Sequence, residues 1–407
     1  MNKQKLMVLV AFSCLLGVAV IIGCTTVGQG FLIPAGGVEA KFAFVVNGSA
    51  DGSATPTINV YKVDPTTGAL TQVVTAFDAG LASSSSAGVA TVFIDADPTS
   101  RFIYVPLPEQ GKIAVFSVDQ SSGALAAVPG SPFASTAGNP YSAKLNPAGT
   151  VLYVTNYNDN TISTFSVDSA GKLTQIPPDL PLSSDPHLVV MDPKGRFLYV
   201  PNENGQFNGF TISPSNGALT AMNNGIPFDA DNYSTGGTVD ASGQFLLVAN
   251  KYACDPGTVS VYKIDQNSGV PTEVTGEGSP FATTTGANDC GPYTVVEFMV
   301  GGQAYVAANN YNGTSNVAVF SLDTTSGKLK AVGGSPFVFN NWQWLHYIAV
   351  DPSGKFGYAV DFGTDCCDTG PSTITGVTID SNGNLTQIPG SPFSNGTNAP
   401  TQIIITH

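Results

Sequence analysis

Seven copies of one phrase constrain this chain more than anything else in its sequence. The fullest copy is Asp192-Pro-Lys-Gly-Arg-Phe-Leu-Tyr-Val-Pro-Asn202. The others read DPTSRFIYVPL (97–107), NPAGTVLYVTN (146–156), DASGQFLLVAN (240–250), FMVGGQAYVAA (298–308), DPSGKFGYAVD (351–361) and, truncated, KFAFVVN (41–47). Each is followed by a run of alternating apolar residues such as Ile113-Ala-Val-Phe-Ser-Val-Asp119, then Gly-X-Leu, then often Gly-Ser-Pro-Phe. A repeat of roughly 46 to 60 residues with turn signals inside every unit describes stacked supersecondary units, none of which can bury its apolar face alone.

The segment ahead of the repeats speaks to location. Lys3 and Lys5 precede an uncharged apolar run from Leu6 to Ile22, the layout of a secretory signal peptide over 1–23. Ile21-Ile22-Gly23-Cys24 resembles the bacterial lipobox, and the resemblance implies cleavage before Cys24 and its diacylation, with 24–37 as lipidated cysteine and tether. The competing reading is an uncleaved transmembrane anchor, since the run is nearly long enough to span a bilayer. Thr25 rather than Asp after the cysteine favours an outer membrane where one exists. The expected address is therefore extracytoplasmic, with membrane contact through the lipid anchor only.

Without Lys3 and Lys5 the chain sets 13 cationic side chains against 29 acidic ones, a formal −16. That balance argues against nucleic acid or anionic lipid as a charge-driven partner. Arg101 and Arg196 are the only arginines. With 45 Gly, 28 Pro and 11% charged residues, the chain is dense in turns and thin in helix formers. After residue 24 its apolar residues alternate with period two, as in Thr161-Ile-Ser-Thr-Phe-Ser-Val-Asp168.

Each unit supplies four strands. In the fourth, strand A spans 187–191, the Asp192-Pro-Lys-Gly195 turn follows, strand B spans 196–200, strand C 207–212, and Gly217-Ala-Leu-Thr220 opens strand D. Four-stranded antiparallel units repeated radially leave only short edges, so the expected fold is all-β: a seven-bladed β-propeller over 38–407. Residues 400–407 read as an A strand without its B, C and D, whereas 38–47 belong to a unit that lacks A. Pairing the last strand with the first three completes blade 1 and locks the ring; an open solenoid would leave both ends unpaired. A one-residue slip there exposes Ile403 and Ile405, so the register is strongly specified.

Tyr153-Val154-Thr155-Asn156 is a literal YVTN, and the DPxG-xx-YVxN grammar over nearly the whole mature chain resembles the lactonase or 6-phosphogluconolactonase-like family of seven-bladed propellers. That resemblance is specific for fold; propellers host many functions.

In such a ring the A strands line the axis, and the B-to-C and D-to-A loops share one face. Counting five residues back from each DPxG-like turn gives one ring position at the mouth of that face: Val92, Tyr141, His187, Thr235, Tyr293, His346 and Thr401. The residue after strand B's Asn reaches the same face and is Glu203 in blade 4 and Lys251 in blade 5. His187, Glu203 and Lys251 are thus expected to converge, a His being able to act as acid or base near neutral pH with a carboxylate to orient it. A plain surface ion pair between Glu203 and Lys251 is the alternative. The family resemblance maps catalytic His and Glu onto His187 and Glu203; the Arg that the family presents beside its His is replaced by Pro186, and Arg101 and Arg196 open B strands on the opposite face. Lys144 and Lys251 are the cations nearest the channel, a thin clamp for a phosphorylated or carboxylated lactone. Tyr141, Tyr157, Tyr293 and His346 complete the expected binding surface.

Cys254, Cys290, Cys366 and Cys367 form an even set in an oxidising address, with three pairings possible. Cys254 with Cys290 joins neighbouring loops and leaves Cys366 with Cys367 as a vicinal bridge. Asp361, Asp365 and Asp368, and Asn156, Asn158, Asp159 and Asn160, make oxygen-rich loops that could take Ca²⁺ without matching EF-hand spacing; no other cofactor and no further metal site is expected. The Gly-Ser-Pro-Phe copies are read as exits from strand D with Phe packed between blades. Three functions remain: a lactonase-like hydrolase built on His187 and Glu203, a non-catalytic envelope propeller binding a ligand or partner on its tyrosines, and a cell-surface scaffold.

Overall fold

The computed structural model describes residues 41–48, 57–80, 92–251, 257–284, 291–311, 315–339, 345–361, 373–396 and 399–406. The leader, Cys24, the tether and the four other candidate disulfide cysteines lie outside these residues. Seven separate antiparallel sheets follow one another along the chain, each ordered A-B-C-D. Blade 4 is Val190–Met191, Phe197–Asn202, Gln206–Ile212 and Leu219–Ala221. Three short 3-10 turns are the only helical elements among the described residues.

The repeated phrase folds as it does because each of its residues has a separate task. The Asp192 carboxylate accepts the amides of Arg196 (2.5 Å) and Phe197 (2.9 Å), closing the A-to-B turn as an Asx turn does. Asp240 and Asn146 do the same in blades 5 and 3. The following six residues are buried throughout in strand B, because that strand is covered by a blade on either side. Tyr199 sends its hydroxyl to the Gly269 carbonyl of the next blade at 2.7 Å, and Tyr153, Tyr305 and Tyr358 reach Gly217, Ser381 and Gly68 likewise. Gly269 sits at φ +76° with Phe197 against it; a Cβ there would fall 2.4 Å from the ring. The terminal Asn pins its own hairpin, as where Asn250 donates to Thr258 and Ser260.

Apolar side chains of adjacent blades merge into continuous clusters, such as Phe245, Leu247 and Val261 with Val295, Val306 and Phe320. Each such side chain contributes about 1.5–3 kcal/mol when fully buried. The Gly-Ser-Pro-Phe segments do more than leave strand D. In blades 2, 5 and 7 the Phe opens a two-residue strand that pairs back onto strand C, and Phe228 does so in blade 4. The serine hydroxyl meanwhile accepts a strand-C amide at 2.9 Å, seen for Ser131, Ser279, Ser335 and Ser391.

Ala399–Ile405 pairs antiparallel with Phe42–Gly48 in the register Val45 to Ile403, so the last strand completes the first blade. Hydrogen bonds then cross every junction at the axis. Ile94 donates to Gln402, Phe93 to Tyr141, Thr155 to His187, Leu188 to Thr235, Thr235 to Tyr293, Asn309 to Leu345 and His346 to Thr401.

Candidate functional site at the channel mouth

Apart from Val92, the residues counted onto one ring share a level, and the backbone shows why. In blades 1, 3, 5, 6 and 7 the A-to-B register slips by one residue at Thr401, Tyr141, Thr235, Tyr293 and His346. Each is the extra residue of a β-bulge, the device that breaks alternation and re-aims a side chain. In blade 4 the expected A strand from 187 shrinks to Val190–Met191 in the ladder. His187 lies before it, after Asp185 at φ +54°, and its amide donates to Pro201. In blade 2 the ring side chain is Phe93 rather than Val92: Phe93 packs on Tyr141, Tyr293 and Tyr347, while Val92 joins the core between blades.

His187 Nε2 lies 2.6 Å from Glu203 Oε1, and Tyr157 donates to Glu203 Oε2 at 3.1 Å. Burial pushes the Glu203 carboxyl upward, but the His187 bond and charge, the Tyr157 bond and the Lys251 charge together hold it below its ordinary 4.5. Glu203 is therefore an ionised acceptor, which places a ring hydrogen of His187 on Nε2. Nδ1 is buried with no hydrogen-bond partner among the described residues. The imidazole is walled by Tyr141, Tyr157 and Tyr293 at centroid distances of 5.1, 5.8 and 5.9 Å. Its side chain is 3% exposed against 27% for Glu203, so the carboxylate is the face of the pair that meets solvent.

Lys251 stands with its ammonium 4.2 Å from the Tyr311 ring and 5.1 Å from that of Tyr293. The hydroxyls of Tyr141 and Tyr293 bond to each other, and burial holds both protonated well above the usual tyrosine range. His346 packs on Tyr293 at 4.5 Å and gives its Nδ1 hydrogen to Thr401; burial pushes its pKa down to about 4. It is a neutral strut to the closing strand. Tyr311, missed above, was within reach of the same count that found Glu203 and Lys251, being the residue after Asn310 in blade 6.

Lys144 does not join this group. It lies deeper in the channel, 3.3 Å from Asp95, whose charge raises its pKa. That pair lines a cavity of about 290 Å³ with Phe93, Ser142, Tyr347 and Gln402. Arg101 and Arg196 bind Asp97 and Asp192 at the A-to-B turns, on the face away from His187. In the blade 3 loop, Asp159 and Asn160 accept the amides of Gly138 and Asp185. No cluster of three or more His, Cys, Asp or Glu side chains suited to a metal occurs among the described residues, and Asp365 and Asp368 lie outside them.

The family profile described as "Lactonase, 7-bladed beta-propeller" matches residues 41–184 and 170–285. A 6-phosphogluconolactonase of Formosa agariphila is 29% identical over 103 residues, which spans 24% of this chain and 29% of that relative. The periplasmic gluconolactonase of Pseudomonas aeruginosa superposes with a TM-score of 0.69 at 16% identity, covering 90% of this chain and 99% of that one. A Bacteroides fragilis protein solved as a candidate 6-phosphogluconolactonase gives 0.71 at 19% identity, covering 90% and 98%. Those two likenesses speak to fold alone, but the profile covers well over half the chain. The chain belongs to the lactonase family of seven-bladed β-propellers.

Proposed function

We propose that the channel mouth hydrolyses a lactone, with Glu203 as general base and His187 as the residue that positions it. The observation that carries this reading is the 2.6 Å contact between His187 Nε2 and Glu203 Oε1 inside a wall of tyrosines. Glu203 removes a proton from a water as its oxygen bonds to the lactone carbonyl carbon. The ring C–O bond of the tetrahedral intermediate then breaks, and the leaving oxygen takes a proton back from Glu203. Lactone and water become a hydroxy acid, which ionises at neutral pH. Lys251 and the protonated tyrosines supply positive charge and donors for the developing oxyanion. His187 keeps the half-buried carboxylate ionised and fixes its rotamer. The activities named for the Formosa and Pseudomonas proteins are of this reaction class, which supports the choice of substrate.

The leader and Cys24 favour a lipid-anchored, extracytoplasmic setting for this chemistry. The test of the hydrolase is acid release from a panel of lactones by the full-length chain in detergent. General-base catalysis contributes roughly 10²–10⁴-fold, so Glu203→Gln is expected to lose at least about 100-fold in kcat/KM with its melting temperature retained. Equal rates for the two proteins would overturn the assignment.

A further inference from the structure

The charges around the mouth are one-sided. Strands B and C meet at that face, and of the 13 Lys and Arg in residues 41–407 only Lys112 and Lys251 lie at its B-to-C connections. The internal segments outside the described residues contain neither Lys nor Arg in sequence. Both arginines are paired on the far face, and Lys144 is paired with Asp95 inside the channel. Against these two cations the same face carries Glu109, Asp159, Asp185, Glu203, Asp229 and Asp231. Lys251 is drawn over two tyrosine rings and offset by Glu203. No guanidinium fork stands among the described mouth residues to grip a phosphate or carboxylate.

What the mouth does offer is aromatic surface: Tyr141, Tyr157, Tyr293 and Tyr311 in a chain of contacts, with His187 Nδ1, unpartnered among the described residues, buried behind them. We propose that this site takes an uncharged lactone whose ring lies against the tyrosine wall, and that it rejects lactones bearing a phosphate or carboxylate. The inference rests on the hydrolase reading for turnover, but not for binding. An anionic ligand would approach through a field of its own sign, a penalty screened by salt over about 10 Å at 0.1 M.

The experiment pairs each uncharged δ-lactone with its phosphate ester, on the full-length chain in detergent, and titrates the corresponding non-hydrolysable lactams by tyrosine fluorescence. We expect the uncharged partner to be favoured at least tenfold in both kcat/KM and affinity at low salt, with the gap narrowing at high salt. Binding of the uncharged lactam without any turnover would uphold this inference and remove the hydrolase. Equal or tighter binding of the phosphorylated lactam, or binding of neither, would overturn the inference.

Discussion

Tyr199 and Tyr104 hold the same place in the repeated phrase, yet only one has a partner. Tyr199 donates to Gly269 of the next blade, whereas the buried hydroxyl of Tyr104 finds no acceptor among the described residues. Removing a satisfied buried bond costs about 1–2 kcal/mol, and removing an unsatisfied hydroxyl costs little or stabilises. Tyr199→Phe is therefore expected to lower stability by that amount and Tyr104→Phe to leave it unchanged or raised, read from denaturant midpoints. Glu297 carries a different signature. Burial and the nearby Asp240 push its carboxyl up to about 7, with Oε2 accepting the Ala241 amide and Oε1 unpartnered among the described residues. A carboxyl raised on folding favours the folded state below its unfolded value of 4.5, and that contribution is lost as pH rises through about 7. Glu297→Gln should thus gain about 3 kcal/mol over the parent at pH 8 and almost nothing at pH 4.5; thermal melts at the two pH values check it, and an equal gain at both would refute the cause.

The last strand is the element on which closure depends. Ala399–Ile405 contributes buried Thr401, Gln402 and Ile403, pairs with Phe42–Gly48, and receives hydrogen bonds from His346 and Ile94. Deleting residues 399–407 leaves the edge of blade 1 open and two junctions unbonded. We expect a melting temperature lower by well over 10 °C, or no cooperative melt; an unchanged melt would mean the ring holds without its lock. The bulged A strands show where pattern reading stops. Alternation along a strand assigns faces with period two, but a bulge inserts one residue, so an extra side chain turns to the axis without breaking the apolar pattern. Counting from the turn found those residues because five blades bulge at the same offset. It failed for Val92, since blade 2 enters the axis on Phe93, which bonds to blade 3 instead of following the offset.

At the scale of the whole molecule, the repeat made the seven-bladed ring and its closure legible, because Asp-Pro turns, buried B strands and cross-blade tyrosines recur in register. The candidate site was legible only where the repeat departs from itself, at His187, Glu203 and Lys251. Which of the first two meets solvent was not, because exposure depends on Tyr141, Tyr157 and Tyr293 converging from separate blades. Nor was the confinement of Lys144 by Asp95, two residues from adjacent blades that no local pattern links. The ring thus supplies a rigid frame, and its acid-rich mouth supplies one ionised carboxylate with a histidine behind it. The most direct measurement of that pairing is the acid limb of kcat/KM for lactone hydrolysis in the parent and in His187→Phe. With His187 present the limb should lie below pH 4.5, where Glu203 is held. Without it burial acts unopposed by its largest counterweight, so the limb should move to higher pH. Superimposable limbs in the two proteins would contradict a working His187–Glu203 pair.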